Sequence, residues 1–298
     1  MNTQIPKRID GTWDLAFKKT FSSIGNEDII AGLANDFFGF EPKGIVIGSP
    51  YNITLYQKQL EESGGDYNIL KHTLNDVRIG MANGGLVAEM QVKKQRVFGA
   101  RSVHYMCEGF CSNYNINGNA YDDLKTMYSL NILKESCFAI KDLSVRSFRM
   151  YDIDEMIPMN QEYLAIAYFE LLKPRVKNRH QEVWRKYFLG EALPSDAPEY
   201  IRRAARIIEV SNLSKEELHM LSLEEKYRAD QMASHATARL DGLDAGIEIG
   251  RIEGIEMGRV EGREEGLVEV ARNMRAEGDS IERVVRITGL SEAIVATL

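Results

Sequence analysis

The stretch His72–Lys93, HTLNDVRIGMANGGLVAEMQVK, constrains this chain more than any other, because it reads as two strands joined by a tight turn. Asn83-Gly84 between alternating apolar runs favours a two-residue type I′ turn, in which both central residues take φ > 0. That turn pairs Ala82 with Gly85, Met81 with Leu86, Ile79 with Ala88 and Val77 with Met90, an apolar face throughout. On the other face Asp76 lies opposite Gln91 and Arg78 opposite Glu89, so Asp76, Glu89 and Gln91 converge. A slip of one residue would send them to both faces.

The whole chain is compatible with a core around such a hairpin. It has 298 residues, 44% hydrophobic and 27% charged, ample for one larger domain with appendages. A net charge of -7 excludes a global basic field, so any nucleic-acid surface is a local patch. The N-terminus lacks an apolar signal region and no run approaches the ~18 apolar residues of a membrane span, so a cytoplasmic protein with no membrane partner is expected. Cys107, Cys111 and Cys137 form no CxxC pair and read as buried free thiols.

In chain order, residues 12–21 read as a helix with Trp13, Phe17 and Phe21 in line and Asp14 beside them. Asn26 is the expected cap of a second helix that runs to Phe38 and stops at Gly39. Residues 42–49 read as a strand, and the segment to Tyr67 is ambiguous. After the hairpin, a helix is expected from Gln95 to about Asn117. It offers Val97, Val103, Phe110 and Tyr114 for packing and carries Arg101, Tyr105 and Glu108 on one stripe. Met127–Leu133 and Val145–Tyr151 read as strands, and Gln161–Leu172 as a strand or a helix. Strand, helix, strand after residue 86 is a βαβ pattern, and the fold class is α/β, a mixed sheet flanked by helices.

Lys173, Arg175, Lys177, Arg179, Arg185 and Lys186 are the densest basic cluster, suited to phosphates or to a solvated helix face. Three helices are expected at 179–190, 198–210 and 214–238, the last opened by a Ser214/Glu217 capping box. Beyond Asp241, Gly242, Gly246, Gly250, Gly254, Gly258, Gly262 and Gly266 recur every fourth residue. In a helix they form one slowly drifting stripe. Each mid-helix glycine costs about 1 kcal/mol against alanine, so the seven disfavour an isolated helix by roughly 7 kcal/mol. Either a homo-oligomer formed through this tail or a flexible spacer follows. Residues 280–295 outline two short helices around Gly289 without a basic reading face, a packing module rather than a DNA reader. The expected organisation is a core over 1–175, a helical region over 176–240 and the tail over 241–298.

Asp76 and Glu89 close together disfavour each other's ionisation unless a cation joins them, which suits Mg²⁺ or another divalent cation with a phosphate-bearing substrate. Gln91 would orient water or a phosphate oxygen but carries no charge. A surface ion-pair ladder with Arg78 on Glu89 is the structural alternative.

Trp13-Asp14-xx-Phe17-Lys18-xx-Phe21, Leu74-Asn75-Asp76, Ala88-Glu89-Met90-Gln91 and Arg101-xxx-Tyr105 together resemble the Rpn group of recombination-promoting nucleases and transposase-like proteins, a branch of the PD-(D/E)XK nuclease superfamily. The glycine-glutamate tail and the closing Ile-Thr-Gly-Leu-Ser are similar too. The resemblance implies a restriction-endonuclease-like core and metal-dependent cleavage of DNA, with a link to recombination or mobile elements. By the same resemblance Asp76 is the motif aspartate, Glu89 the acidic position and Gln91 the position where lysine usually stands. Asp14 matches the acidic residue of the first helix, and Arg101 and Tyr105 support the site or contact DNA. Lys173, Arg175, Lys177 and Arg179 are the expected DNA contacts. The competing reading is a catalytically inert DNA-binding or assembly protein of the same fold.

Overall fold

The computed structural model describes residues 8–64, 76–92, 98–116, 121, 124–139, 142–159 and 162–298. Its contacts divide into two units, 1–227 and 228–298. The first holds a six-stranded sheet in the order β1-β2-β3-β4-β6-β5. The strands are β1 (Val46–Ile47), β2 (Asp76–Met81), β3 (Gly84–Gln91), β4 (Met127–Leu133), β5 (Val145–Arg149) and β6 (Leu164–Glu170). β3, β4 and β6 are parallel, while β1, β2 and β5 join antiparallel at the edges. The helices of this unit are α1 (Asp14–Ser22), α2 (Glu27–Phe38), α3 (Ile53–Glu62), α4 (Phe98–Ile116), α5 (Arg179–Phe188), α6 (Glu199–Ile207) and the start of α7 (Lys215–Ala276). The α/β class is as expected, and β3-α4-β4 is the βαβ unit.

The hairpin forms, but two residues out of the expected register. Its loop is Ala82-Asn83, and β2 and β3 pair Met81 with Gly84, Ile79 with Leu86, Val77 with Ala88, Arg78 with Val87 and Asp76 with Glu89. Neither loop residue has positive φ, so the turn is not type I′. Contacts from elsewhere hold it: Ala82 N–H donates to the Lys43 carbonyl at 2.6 Å, and the Asn83 side chain bonds Lys43 N–H and the Glu41 carbonyl. Gly84 is required because a Cβ there would lie 2.5 Å from the Thr126 carbonyl oxygen. Since side chains alternate with period two, a two-residue shift leaves every residue on its expected face.

Both faces of the sheet are covered, which is why β4 and β6 are almost wholly buried. On one face Phe17, Phe21, Ile29, Leu33 and Phe37 of α1 and α2 pack with Trp184, Phe188 and Ile201 of α5 and α6 against Val77, Ile79, Leu86, Ala88 and Met90. On the other, Phe98 and Met106 of α4 meet Val87, Met127, Leu133, Ile166 and Tyr168. Val103 was expected to pack here but is exposed, because the buried stripe of α4 runs through Phe98, Ser102 and Met106. Val97, Gln95 and Tyr67 lie outside the described residues, and of the Tyr114 side chain nothing is described. The expected strand over 42–49 reduces to β1, and the ambiguous segments resolve into α3 and β6.

Buried charges join these layers. Asp36 accepts from Trp184 Nε1 at 2.8 Å and Tyr200 OH at 2.7 Å and contacts His180 Nδ1 at 2.7 Å, tying α2 to α5 and α6. Asn26 stands before α2 without the expected side-chain cap; its amide donates to the Lys19 and Thr20 carbonyls instead. The Ser214/Glu217 capping box forms, and Glu217 also binds Lys19 at 2.7 Å and Tyr51 at 2.7 Å. At the end of β6, Glu170 accepts from Ser136 Oγ and from Cys137 and Phe138 N–H, and pairs with Lys173 Nζ at 2.6 Å.

In the second unit α7 is helical through Ala276, well past the expected end at 238, and α8 (Ile281–Thr288) and α9 (Glu292–Val295) follow. Ala271, Val284 and Val295 make a small core there. All seven repeat glycines lie within α7, and a Cβ added at any of them meets nothing within 4 Å. Leu240, Leu243, Ile247, Ile249, Ile252, Ile255, Met257 and Val260 are exposed. No helix among the described residues is long and apolar enough to cross a membrane.

Two outcomes follow. Burial pushes the Glu170 carboxyl up, but Lys173, Phe138, Ser136 and Cys137 outweigh it and hold its pKa below the ordinary value. Its stabilisation is therefore present above the unfolded-chain value of about 4.3 and lost as pH falls through the lower folded value. Urea unfolding at pH 7 should show Glu170→Gln destabilised by about 3 kcal/mol, with a shallower acid limb than wild type. Replacing Gly250 and Gly254 by alanine should raise helical ellipticity, each change favouring the helix by about 1 kcal/mol; unchanged ellipticity would contradict an unobstructed helix.

Candidate functional site

The site grows out of the hairpin. β3 emerges from a loop pinned by residues 41–43 and by Thr126, so its pairing with β2 is set at that end and carried along the strand. Asp76, the first residue of β2, stands directly across from Glu89, not from Gln91 as expected. Directly opposed positions share a face and a strand repeats every two residues, so the register puts position 76 on the same face as Glu89 and Gln91, the face covered by α4; Leu74 and Asn75 lie outside the described residues, and of the Asp76 side chain nothing is described.

Glu89 is 3% exposed. A carboxylate at that depth requires a positive partner, and α4 supplies it: Arg101 Nη2 donates both to Glu89 Oε1 and to Gln91 Oε1. The guanidinium also sits 5.4 Å from the centre of the Phe98 ring. The Gln91 oxygen is thereby committed to Arg101, and the amide nitrogen is the donor end of this side chain. The expected Arg78 to Glu89 ladder is absent among the described residues; Arg78 faces Val87 across the sheet and pairs with Glu108 of α4 at 3.0 Å. Glu108, on the same stripe of α4 as Arg101, thus engages Arg78 away from Glu89.

Asp14 is buried at the start of α1, the helix that packs on β2. Glu224, on the first part of α7, accepts from the Asp14 and Leu15 N–H groups at 2.8 and 3.3 Å and so caps α1 with a carboxylate at its positive end. Sequence reading missed Glu224, since a cap 210 residues away leaves no local signal. Lys18, one turn beyond Asp14, is also buried. Tyr105 is half-buried on α4, beside His104.

The basic segment separates. Lys173 is buried against Glu170 and the Phe138 carbonyl, so its charge serves the core instead of being offered to DNA. Arg175, Lys177 and Arg179 are exposed. Lys177 bonds Ser147 Oγ at 3.3 Å, and Arg179 pairs with Glu182 and Asp196.

On β4, Asn131 stands beside Glu89 and Ser129 beside Val87, both buried. The signal for them is present in MYSLNIL: two polar residues at alternate positions of an otherwise apolar strand that the βαβ pattern sets next to β3. Among the described residues no three His, Cys, Asp or Glu side chains gather around one point. The donor types along this line are two carboxylates from adjacent strands and an amide oxygen, a set that fits a hard divalent cation such as Mg²⁺ and offers nothing to a soft one.

A family model described as PD-(D/E)XK nuclease family transposase matches residues 12–238. Comparison with curated proteins and with solved structures finds no match. The matched span runs from the residues before α1, through the whole sheet, into α7, and with it the chain belongs to the PD-(D/E)XK nuclease family transposases.

Proposed function

We propose that the protein is a metal-dependent DNA endonuclease that hydrolyses phosphodiester bonds at Asp76, Glu89 and Gln91, in the service of recombination or mobile elements. The observation that carries this reading is the β2–β3 register, which sets two acidic residues of neighbouring strands opposite each other on the α4 face. Asp76 and Glu89 would hold Mg²⁺ or another divalent cation. When bound, such a cation neutralises charge on the phosphodiester and makes water at the site more acidic.

The chain's own residues divide the remaining work. Gln91, held by Arg101 through its oxygen, presents its amide donors to a phosphate oxygen or to water. It cannot replace the charge of a lysine and is not a base, so the proton of the attacking water would pass to a carboxylate of the site or to solvent. Arg101 neutralises Glu89 and so competes with a cation for that carboxylate. Asp14 stands on α1, which packs on the opposite face of the sheet, and is not counted among the ligands. Arg175, Lys177 and Arg179 supply exposed positive charge for the DNA backbone, each phosphate contact making binding fall more steeply as salt rises.

The second reading, a catalytically inert DNA-binding or assembly protein, draws on Gln91 in the lysine position and on the exposed apolar side chains of α7. In either case the tail serves self-association, its glycines permitting close backbone approach and Ile247, Ile252 and Ile255 supplying apolar contact.

Purified protein with Mg²⁺ should nick or linearise plasmid DNA, and Asp76→Ala or Glu89→Ala should each lower the rate about a hundredfold or more. Cleavage at the wild-type rate by both variants rejects the site, and DNA retention without turnover across several divalent metals favours the inert reading. Truncation after Leu240 should lower the protomer count measured by light scattering; an unchanged count removes the association role of the tail.

A further inference from the structure

The polar line across the sheet continues past Glu89. The parallel register of β3 and β4 sets Asn131 beside Glu89, so Asp76, Glu89 and Asn131 occupy one transverse row on three consecutive strands. Neighbouring strands lie about 4.8 Å apart, and laterally paired residues face the same side. Asn131 is 1% exposed. Its Nδ2 donates to Ser129 Oγ at 3.0 Å and to the Ala167 carbonyl at 3.3 Å. Its Oδ1 is equally buried and has no hydrogen-bond partner among the described residues.

An unsatisfied amide oxygen at this depth is a standing cost, and native proteins keep few of them. The direction of this one is informative. The amide is planar, so an Nδ2 committed towards Ser129 on its own strand and towards β6 turns Oδ1 to the β3 side, where Glu89 stands. Two acceptors cannot hydrogen-bond each other, and the Arg101 that pairs with Glu89 donates nothing to Asn131 Oδ1, so this oxygen is left to another positive group near it.

We infer that Asn131 is an oxygen donor of the divalent-cation site, contributing Oδ1 alongside the carboxylates of Asp76 and Glu89. The inference rests on reading those carboxylates as a cation site. An amide is suited to the position: hard cations accept neutral carbonyl oxygens as ligands, and a third carboxylate would add like-charge repulsion to a buried pair. Ser129 and the Ala167 carbonyl hold the amide in orientation, as supporting contacts do for metal ligands.

The test is Mn²⁺ binding by the full chain, measured by isothermal titration calorimetry, with far-UV circular dichroism to establish folding. Asn131→Leu keeps the volume and removes the oxygen; it should weaken Mn²⁺ affinity about tenfold. Asn131→Asp gives up the two Nδ2 hydrogen bonds but keeps oxygen donors on that side chain with added negative charge, and should bind at least as tightly as wild type. Glu89→Gln reports on the underlying site. If wild type binds Mn²⁺ and Glu89→Gln does not, while folded Asn131→Leu binds as wild type does, the role of Asn131 is overturned and the site stands. Wild type that binds no Mn²⁺ overturns both. Should Asn131→Leu not fold, Asn131→Asp decides: affinity below wild type overturns the inference, and equal or tighter binding supports it.

Discussion

A carboxylate in the middle of a covered sheet needs a matched charge, and the pairing of Glu89 with Arg101 is the constraint around which this fold is arranged. Glu89 sits on β3, with β2 and β4 on either side and α4 above. α4 can deliver Arg101 to it because the chain leaves β3, forms that helix and returns as the parallel strand β4. The crossover that gives the sheet its parallel centre also delivers the guanidinium. The same contact orients Gln91, so one side chain sets both the charge balance and the amide geometry of the site.

The rest of the first unit repeats the device at its seams. Asp36 binds α2 to α5 and α6, Glu170 holds the loop after β4 and the turn after β6, Glu217 ties the start of α7 to α1, and Glu224 caps α1. Each is a buried acidic group that takes at least one donor distant in sequence. Such groups contribute little net stability when paired and cost several kcal/mol when a partner is removed, so they specify arrangement more than they strengthen it. The apolar layers on both faces provide the bulk of the driving force.

The second unit follows different physics. Its glycine-repeat segment makes no core of its own, and the small cluster around Ala271, Val284 and Val295 is confined to the chain's end. A helix with open space at every repeat glycine and isoleucines exposed along it has backbone and side-chain surface to offer. That contrast, a core closed by buried charges and a tail open along its length, distinguishes the two units.

Much of this was legible in the residues themselves. Alternation in VRIGM and LVAEMQ placed Asp76, Glu89 and Gln91 on one face, and a strand period of two made that assignment immune to a two-residue error in register. Periodicity likewise located α1, α2, α4 and β4, and Ser214 with Glu217 marked the start of α7. What local pattern could not supply was any contact made across the chain. Asn83-Gly84 promised a type I′ turn, yet the loop is decided by residues 41–43 and by the Thr126 carbonyl, which admits only glycine at 84. Lys173 looked like a phosphate contact, but the turn after β6 folds it back onto Glu170, three residues earlier, and onto the distant Phe138 carbonyl. Arg101 stood on a helix stripe with no stated partner until α4 docked on the sheet. The sequence determined which residues share a face, because that depends on backbone periodicity alone; only the tertiary structure decided which charges meet, because burial and pairing are properties of elements brought together from distant parts of the chain.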